Sequence, residues 1–156
     1  MTSLKPLSLN VRGLSNKKKR KTAFSWIKKQ KADIIFLQES HSTKDSEKKW
    51  KKERGNDNIY FSHGASNARG SCILFRSNLD CEVKNEIIDS NGRFVLLKVH
   101  LNGIPKILLN VYSPNDLSKA VDFFKKLKEI MISELIIGLH LLTCKTKFRM
   151  KLYITA

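Results

Sequence analysis

Asp33-Ile34-Ile35-Phe36-Leu37-Gln38-Glu39-Ser40-His41 is the stretch on which the fold turns. Its four consecutive apolar residues are bounded by polar ones. That pattern predicts a strand covered on both faces, since a half-exposed strand would alternate. Leu7–Asn10 reads as a shorter strand ahead of it. The segments on either side are basic and helical in pattern. Residues 17–31 carry eight basic residues and no acid, and residues 44–54 carry six basic residues and three acids. Ala23, Phe24, Trp26 and Ile27 give the first helix a narrow apolar face, with Ser15 as its expected N-cap.

Further strands are expected near Ile59–Ser62, Ser71–Arg76, Cys81–Asp89, Phe94–Leu101 and Lys106–Tyr112. The turn signals His63-Gly64, Ser90-Asn91-Gly92 and Asn102-Gly103 separate them, and the last two predict hairpins. A third helix is expected over Leu117–Ser133, then a buried strand at Leu135–Gly138. Mixed strands and helices with several hairpins predict an α/β sandwich with a mixed sheet, not a doubly wound fold. Residues 139–156 contain no acid, glycine or proline and show no clear period. The expected division is therefore one domain over 1–138 and a divergent tail over 139–156.

The chain has 156 residues and a formal net charge of +16. That balance favours a polyanionic partner, nucleic acid first and an anionic membrane surface second. A solvated lysine-rich surface is the plain alternative. No apolar run approaches the ~18–20 residues of a membrane span, and the N-terminus lacks a signal-peptide core. The expectation is an intracellular protein, not secreted. Lys17-Lys18-Lys19-Arg20-Lys21 also matches the loose pattern of a nuclear import signal. Cys72, Cys81 and Cys144 show no metal-ligand spacing, which argues against a disulfide scaffold or a zinc module. Lysines at a helix N-terminus oppose the macrodipole, so Lys17, Lys18, Lys19, Arg20 and Lys21 are candidates for phosphate contact.

Three strands end in residues suited to chemistry: Asn10, Glu39 and Tyr112. A carboxylate emerging from a buried strand lowers its desolvation cost by binding a hard cation through oxygen. A neighbouring Asn adds a neutral oxygen, and a Tyr hydroxyl can donate to a developing phosphoryl oxygen. Each has an ordinary reading as well. Glu39 suits a helix cap or a surface ion pair, Asn10 a chain turn, and Tyr112 a core position with its hydroxyl satisfied.

Leu9–Leu14 (LNVRGL), Asp33–His41 (DIIFLQESH), Arg69–Phe75 (RGSCILF) and Asn110–Asn115 (NVYSPN) occur in that order. Together they resemble the endonuclease/exonuclease/phosphatase superfamily. Within it they are most similar to the apurinic-type endonuclease domain of non-LTR (LINE-type) retrotransposon polyproteins, over about residues 4–138. The resemblance implies the N-terminal half of a two-sheet DNase I-like α/β sandwich, truncated. It implies Mg²⁺-dependent (or Mn²⁺-dependent) hydrolysis of a phosphodiester in double-stranded DNA, with no membrane partner and no small-molecule cofactor. By the same resemblance Glu39 is the metal-binding glutamate and Asn10 the asparagine beside the metal. Tyr112 stabilises the transition state, and Asn115 contacts the nucleic-acid phosphate.

The pattern then breaks. The family has Asp-Phe-Asn after a buried strand ending in glycine, whereas this chain has Leu139-His140-Leu141. The family's later Asp and its closing Asp-His pair have no counterpart before Ala156. The expectation is half an active site, and a sandwich with one sheet face left uncovered along strands 94–101 and 106–112. The rival is a non-catalytic basic nucleic-acid-binding fragment. A phosphatase acting on phosphoinositides or sphingolipids is a third reading inside the superfamily.

Overall fold

The computed structural model describes residues 4–55, 58–65, 67–135 and 140–145. The first sheet contains β1 (Pro6–Asn10), β2 (Ile34–Gln38), β3 (Ile59–Ser62) and β4 (Ser71–Phe75), in the order β1-β2-β4-β3. The second contains β5 (Cys81–Ile88), β6 (Phe94–Leu101), β7 (Ile104–Val111) and β8 (His140–Lys145), in chain order. β1 runs parallel to β2, and β8 parallel to β7. The remaining pairs are antiparallel. The result is a mixed α/β sandwich of the DNase I-like kind.

β2 shows why an unbroken apolar run was needed. Its side chains alternate between two cores. Ile35 and Leu37 pack beneath α1 (Lys17–Lys29) and α2 (Glu47–Arg54), with Phe24, Ile27 and Trp50. Ile34 and Phe36 face the second sheet and meet Val95, Leu97 and Leu108. β4 does the same with Cys72 and Leu74 on one side and Ile73 and Phe75 on the other. The ring of Trp50 lies edge-on to Phe24 at 5.9 Å and to Phe61 at 5.8 Å, locking both helices to the sheet.

The far face of the second sheet is covered too. Phe94, Leu96, Ile107, Leu109 and Val111 pack against Leu127, Phe123 and Phe124 of α3 (Leu117–Leu135). The expected exposed patch along β6 and β7 is therefore corrected. Each of those strands is apolar on both faces because helix, sheet, sheet and helix stack in four layers. Leu135 closes α3, so the expected strand does not begin there, and Ile136–Gly138 lie outside the described residues. β8 follows in the stretch where no period was legible.

The N-cap of α1 is Asn16, whose side chain accepts from the Lys19 N–H at 3.0 Å. Ser15, the expected cap, instead donates to the His41 carbonyl at 3.4 Å. A short 3-10 turn, Lys44–Ser46, leads into α2, which stops at Gly55 with φ +76°. The β6–β7 hairpin turns through Asn102 (φ 50°) and Gly103 (φ 75°), the two left-handed positions of a type I′ turn.

A candidate active site at the strand ends

Because β1 and β2 are parallel, Asn10 and Gln38 finish side by side. The chain beyond them turns through left-handed backbone at Arg12 (φ 47°), Gly13 (φ 82°), Glu39 (φ 53°) and His41 (φ 55°). A non-glycine residue held there stores roughly 1–3 kcal/mol of strain. Bonds on both sides hold the Glu39 loop. Gly13 N–H donates to the Glu39 carbonyl at 2.6 Å and Leu14 N–H to that of Ser40 at 2.9 Å. On the opposite side His41 N–H donates to Arg69 at 2.9 Å and Ser40 N–H to Gly70 at 2.9 Å.

Two buried amides pin the floor. Gln38 Nε2 donates to Asn110 Oδ1 at 2.5 Å, and Asn110 Nδ2 donates to the carbonyls of Leu37 and Cys72, each at 2.8 Å. Asn110 lies on β7, and its three partners lie on the first sheet. This bridge sets the end of β7 beneath the end of β2. It brings Tyr112, two residues on, to Glu39, one residue on from Gln38.

The Tyr112 phenol donates to the Glu39 carboxylate. Burial pushes the phenol's pKa up, the hydrogen bond to Glu39 and its charge push it further, and Arg93 works against both. The Arg93 guanidinium stacks over the Tyr112 ring at 5.4 Å. Burial lowers the Arg93 pKa, and the charge of Arg69 adds to that. Arg69 Nε is buried with no hydrogen-bond partner. Glu39, Arg69, Arg93, Tyr112, Asn115 and Lys119 line a cleft of about 590 Å³. Two partly desolvated guanidiniums and an orphaned donor, beside a carboxylate and a neutral phenol, make a seat for an oxyanion.

Asn115 thus shares the cleft with Glu39 and Tyr112. Asn10 is not among its lining residues, and its Oδ1 accepts the Arg12 N–H at 3.1 Å, an Asx-type turn. Of the basic run, Lys17 and Lys21 face α2, whereas Lys18 and Lys19 lie on the other side of α1 with Trp26. Lys19 Nζ donates to the Arg12 carbonyl at 2.7 Å. The inclusion of Arg20 among surface phosphate contacts is corrected. It is 1% exposed. It forks onto both oxygens of Glu53 at 2.6 and 2.9 Å and donates to the carbonyls of Leu14 and Ser15. A planar five-donor group suits that buried junction better than a lysine would. Arg93 and Lys119 were not singled out in the sequence, because a lone cation in a turn or at a helix start carries no pattern. Arg69 stood inside a recognised motif without a role.

Among the described residues no group of three or more His, Cys, Asp and Glu could hold a metal. A magnesium-type ion commonly uses one or two carboxylates and keeps several waters; Glu39 lines the cleft with one carboxylate, whereas Asn10 lies outside the lining. Asp116 also lines the cleft, but it caps α3 through Ser118 and Lys119.

Comparison with known proteins follows the same line. A family model described as the Endonuclease/Exonuclease/phosphatase family matches residues 7–133. A Xenopus laevis protein named Transposon TX1 uncharacterized 149 kDa protein is 28% identical over 124 residues, covering 80% of this chain and 9% of that protein. An AP endonuclease from Archaeoglobus fulgidus superposes with a TM-score of 0.64 at 18% identity, over 91% of this chain and 56% of its own. The endonuclease domain of TRAS1, a telomere-specific non-LTR retrotransposon, gives 0.59 at 12% identity, over 90% and 59%. D. rerio TDP2 complexed with a single-strand DNA product gives 0.65 at 16%, over 92% and 60%. The chain thus spans less than two thirds of the length of these structures.

Proposed function

The chain belongs to the endonuclease/exonuclease/phosphatase family, and on that premise we propose that its cleft is the phosphodiester site of a LINE-type retrotransposon endonuclease acting on double-stranded DNA. The observation that carries this reading is the Tyr112–Glu39 hydrogen bond inside a cleft walled by Arg69 and Arg93. On this reading residues 1–138 form the family part and 139–156 lie outside its pattern. An enzyme working on chromosomal DNA acts in the nucleus, which the Lys17–Lys21 run would serve as an import signal. No described helix is long and apolar enough to cross a membrane.

The residues divide the work as follows. Arg69 and Arg93 hold the scissile phosphate, the first with a donor that has no other partner. Tyr112, a neutral phenol with a single O–H, turns it from Glu39 to a phosphoryl oxygen as charge develops there. Asn115 and Lys119 hold a flanking phosphate at the start of α3. Glu39, with Asn10, would hold Mg²⁺ or Mn²⁺, which would supply Lewis-acid polarisation of a phosphoryl oxygen.

Orienting the water and accepting its proton are assigned to no residue. Leu139 and Leu141 stand where the family carries Asp and Asn, and a hydrocarbon can do neither task. General acid–base catalysis is worth ~10²–10⁴-fold and one oxyanion-type donor ~10²–10³-fold. The 156 residues alone therefore bind DNA without cutting it. The test is nicking of supercoiled plasmid with Mg²⁺, run beside a binding titration. We expect salt-sensitive binding, with nicking no greater than that of Glu39→Ala. Mg²⁺-dependent nicking abolished by Glu39→Ala would overturn the incompleteness. Loss of DNA binding altogether would overturn the substrate.

A further inference from the structure

We propose that the groove between α1 and α2 is a second nucleic-acid site, separate from the cleft, which grips the phosphodiester backbone of duplex DNA along the outer face of the first sheet. Lys17, Lys21 and Lys28 line it from α1, and Lys49, Lys52 and Arg54 from α2, around a volume of about 640 Å³. It shares no lining residue with the cleft. The α1 lysines recur at i, i+4 and i+11, one stripe of the helix. From first to last they span roughly 16 Å at about 1.5 Å per residue. That length is about five base-pair steps along a duplex axis at ~3.4 Å each. A regularly charged polymer fits such a stripe, where a single headgroup would engage only part of it.

The groove's charge is not spent inside the protein. Among the described residues no salt bridge engages Lys17, Lys21, Lys28, Lys49 or Lys52. The one acid in the groove, Glu53, is clamped by Arg20, whose hydrogen bonds hold its carboxyl below the usual range. Arg54 Nη2 donates to the Phe75 carbonyl at 3.2 Å, while its Nε is buried with no partner. Lys17, Lys18 and Lys19 crowd the first turn of α1, where no acid offsets them and the helix dipole opposes them. An anion in the groove would meet Lys17 of that first turn together with the charges of Lys21, Lys28, Lys49 and Lys52.

The experiment compares Lys28→Gln/Lys49→Gln/Lys52→Gln with Lys125→Gln/Lys126→Gln/Lys128→Gln in the 156-residue chain. The second set removes the same charge from the exposed side of α3, on the opposite face of the sandwich. Binding is titrated against salt with duplex DNA, with single-stranded RNA, and with phosphatidylcholine vesicles containing phosphatidylserine. Each lost phosphate contact flattens the log K against log salt slope by about 0.9 on duplex DNA and about 0.7 on a single strand. The groove variant should flatten it by about 2.7 on duplex DNA, the proposed occupant, and the α3 variant by less than one, while groove dependence confined to the RNA would overturn that occupant. Equal effects from the two variants would overturn the site, because net charge alone would explain them. Groove dependence seen only with vesicles would overturn the ligand. Because the readout is a binding slope, the site stands or falls independently of nicking. Glu39→Ala should leave the groove's contribution intact.

Discussion

Asn110→Ala is the most revealing single perturbation of the scaffold beneath the cleft. It strips the short partner from buried Gln38 Nε2, and a second hydrogen bond from each of the Leu37 and Cys72 carbonyls, which face each other across the β2–β4 ladder. An orphaned buried group costs ~1–3 kcal/mol and a lost hydrogen bond ~0.5–1.5 kcal/mol. Gln38 keeps a long contact to Ser8 Oγ at 3.4 Å, which softens the first loss. The expected destabilisation is about 3 kcal/mol, large against the ~5–15 kcal/mol of a whole domain. With a urea m-value of about 2 kcal/mol/M, the unfolding midpoint should fall by about 1.5 M. Gln38→Ala in the same background should cost less than it does alone, with a coupling of ~0.5–3 kcal/mol between the two amides. A midpoint shift under about 0.5 M, or additive single variants, would refute the claim that this amide bridge ties the sheets together. The functional consequence follows from position, since the bridge sets Tyr112 against Glu39.

Arg20→Ala should cost about 3 kcal/mol, the low end for breaking a buried ion pair, because Glu53 keeps some contact with water. Since Arg20 holds the Glu53 carboxyl low, the pair's stability is present above the carboxyl's unfolded pKa and lost as pH falls through the folded value. Acid titration of the urea midpoint should therefore be flatter in Arg20→Ala than in the parent chain. Burial pushes the Cys72 thiol up to about 12 and Cys81 up to about 11. Both should resist iodoacetamide at neutral pH in the folded chain and react in urea, as read by peptide mass. Gly70→Ala would put a Cβ 2.5 Å from Ser40 Oγ on backbone at φ +91°. A loss of at least ~2 kcal/mol is expected, measured by thermal melting.

The sequence made the sandwich legible where one residue pattern has one physical meaning. Ile34–Leu37 is apolar throughout because both faces are covered, and Asn102-Gly103 turns a hairpin because both positions sit at positive φ. It failed where the deciding partner is far away in sequence. Arg20 reads as one more cation in a basic run until Glu53, thirty-three residues on, draws it inside. The covering of β6 and β7 depends on α3 folding back over them, which no local pattern states. Ser15 and Asn16 are both good caps, and only the position of His41 separates them. In the cleft, Glu39 and Tyr112 stood out because they end strands inside motifs. Arg93 became visible only when the sheets brought it over the Tyr112 ring.

The central claim is that Glu39 and its neighbours hold a divalent cation beside a phosphate seat. Paramagnetic Mn²⁺ added to isotope-labelled protein tests it directly, through the broadening of backbone amide signals. Binding should be weak, with broadening centred on residues 10–13, 39–41 and 112–115 and abolished in Glu39→Ala. Broadening centred elsewhere, or unchanged in Glu39→Ala, would contradict it.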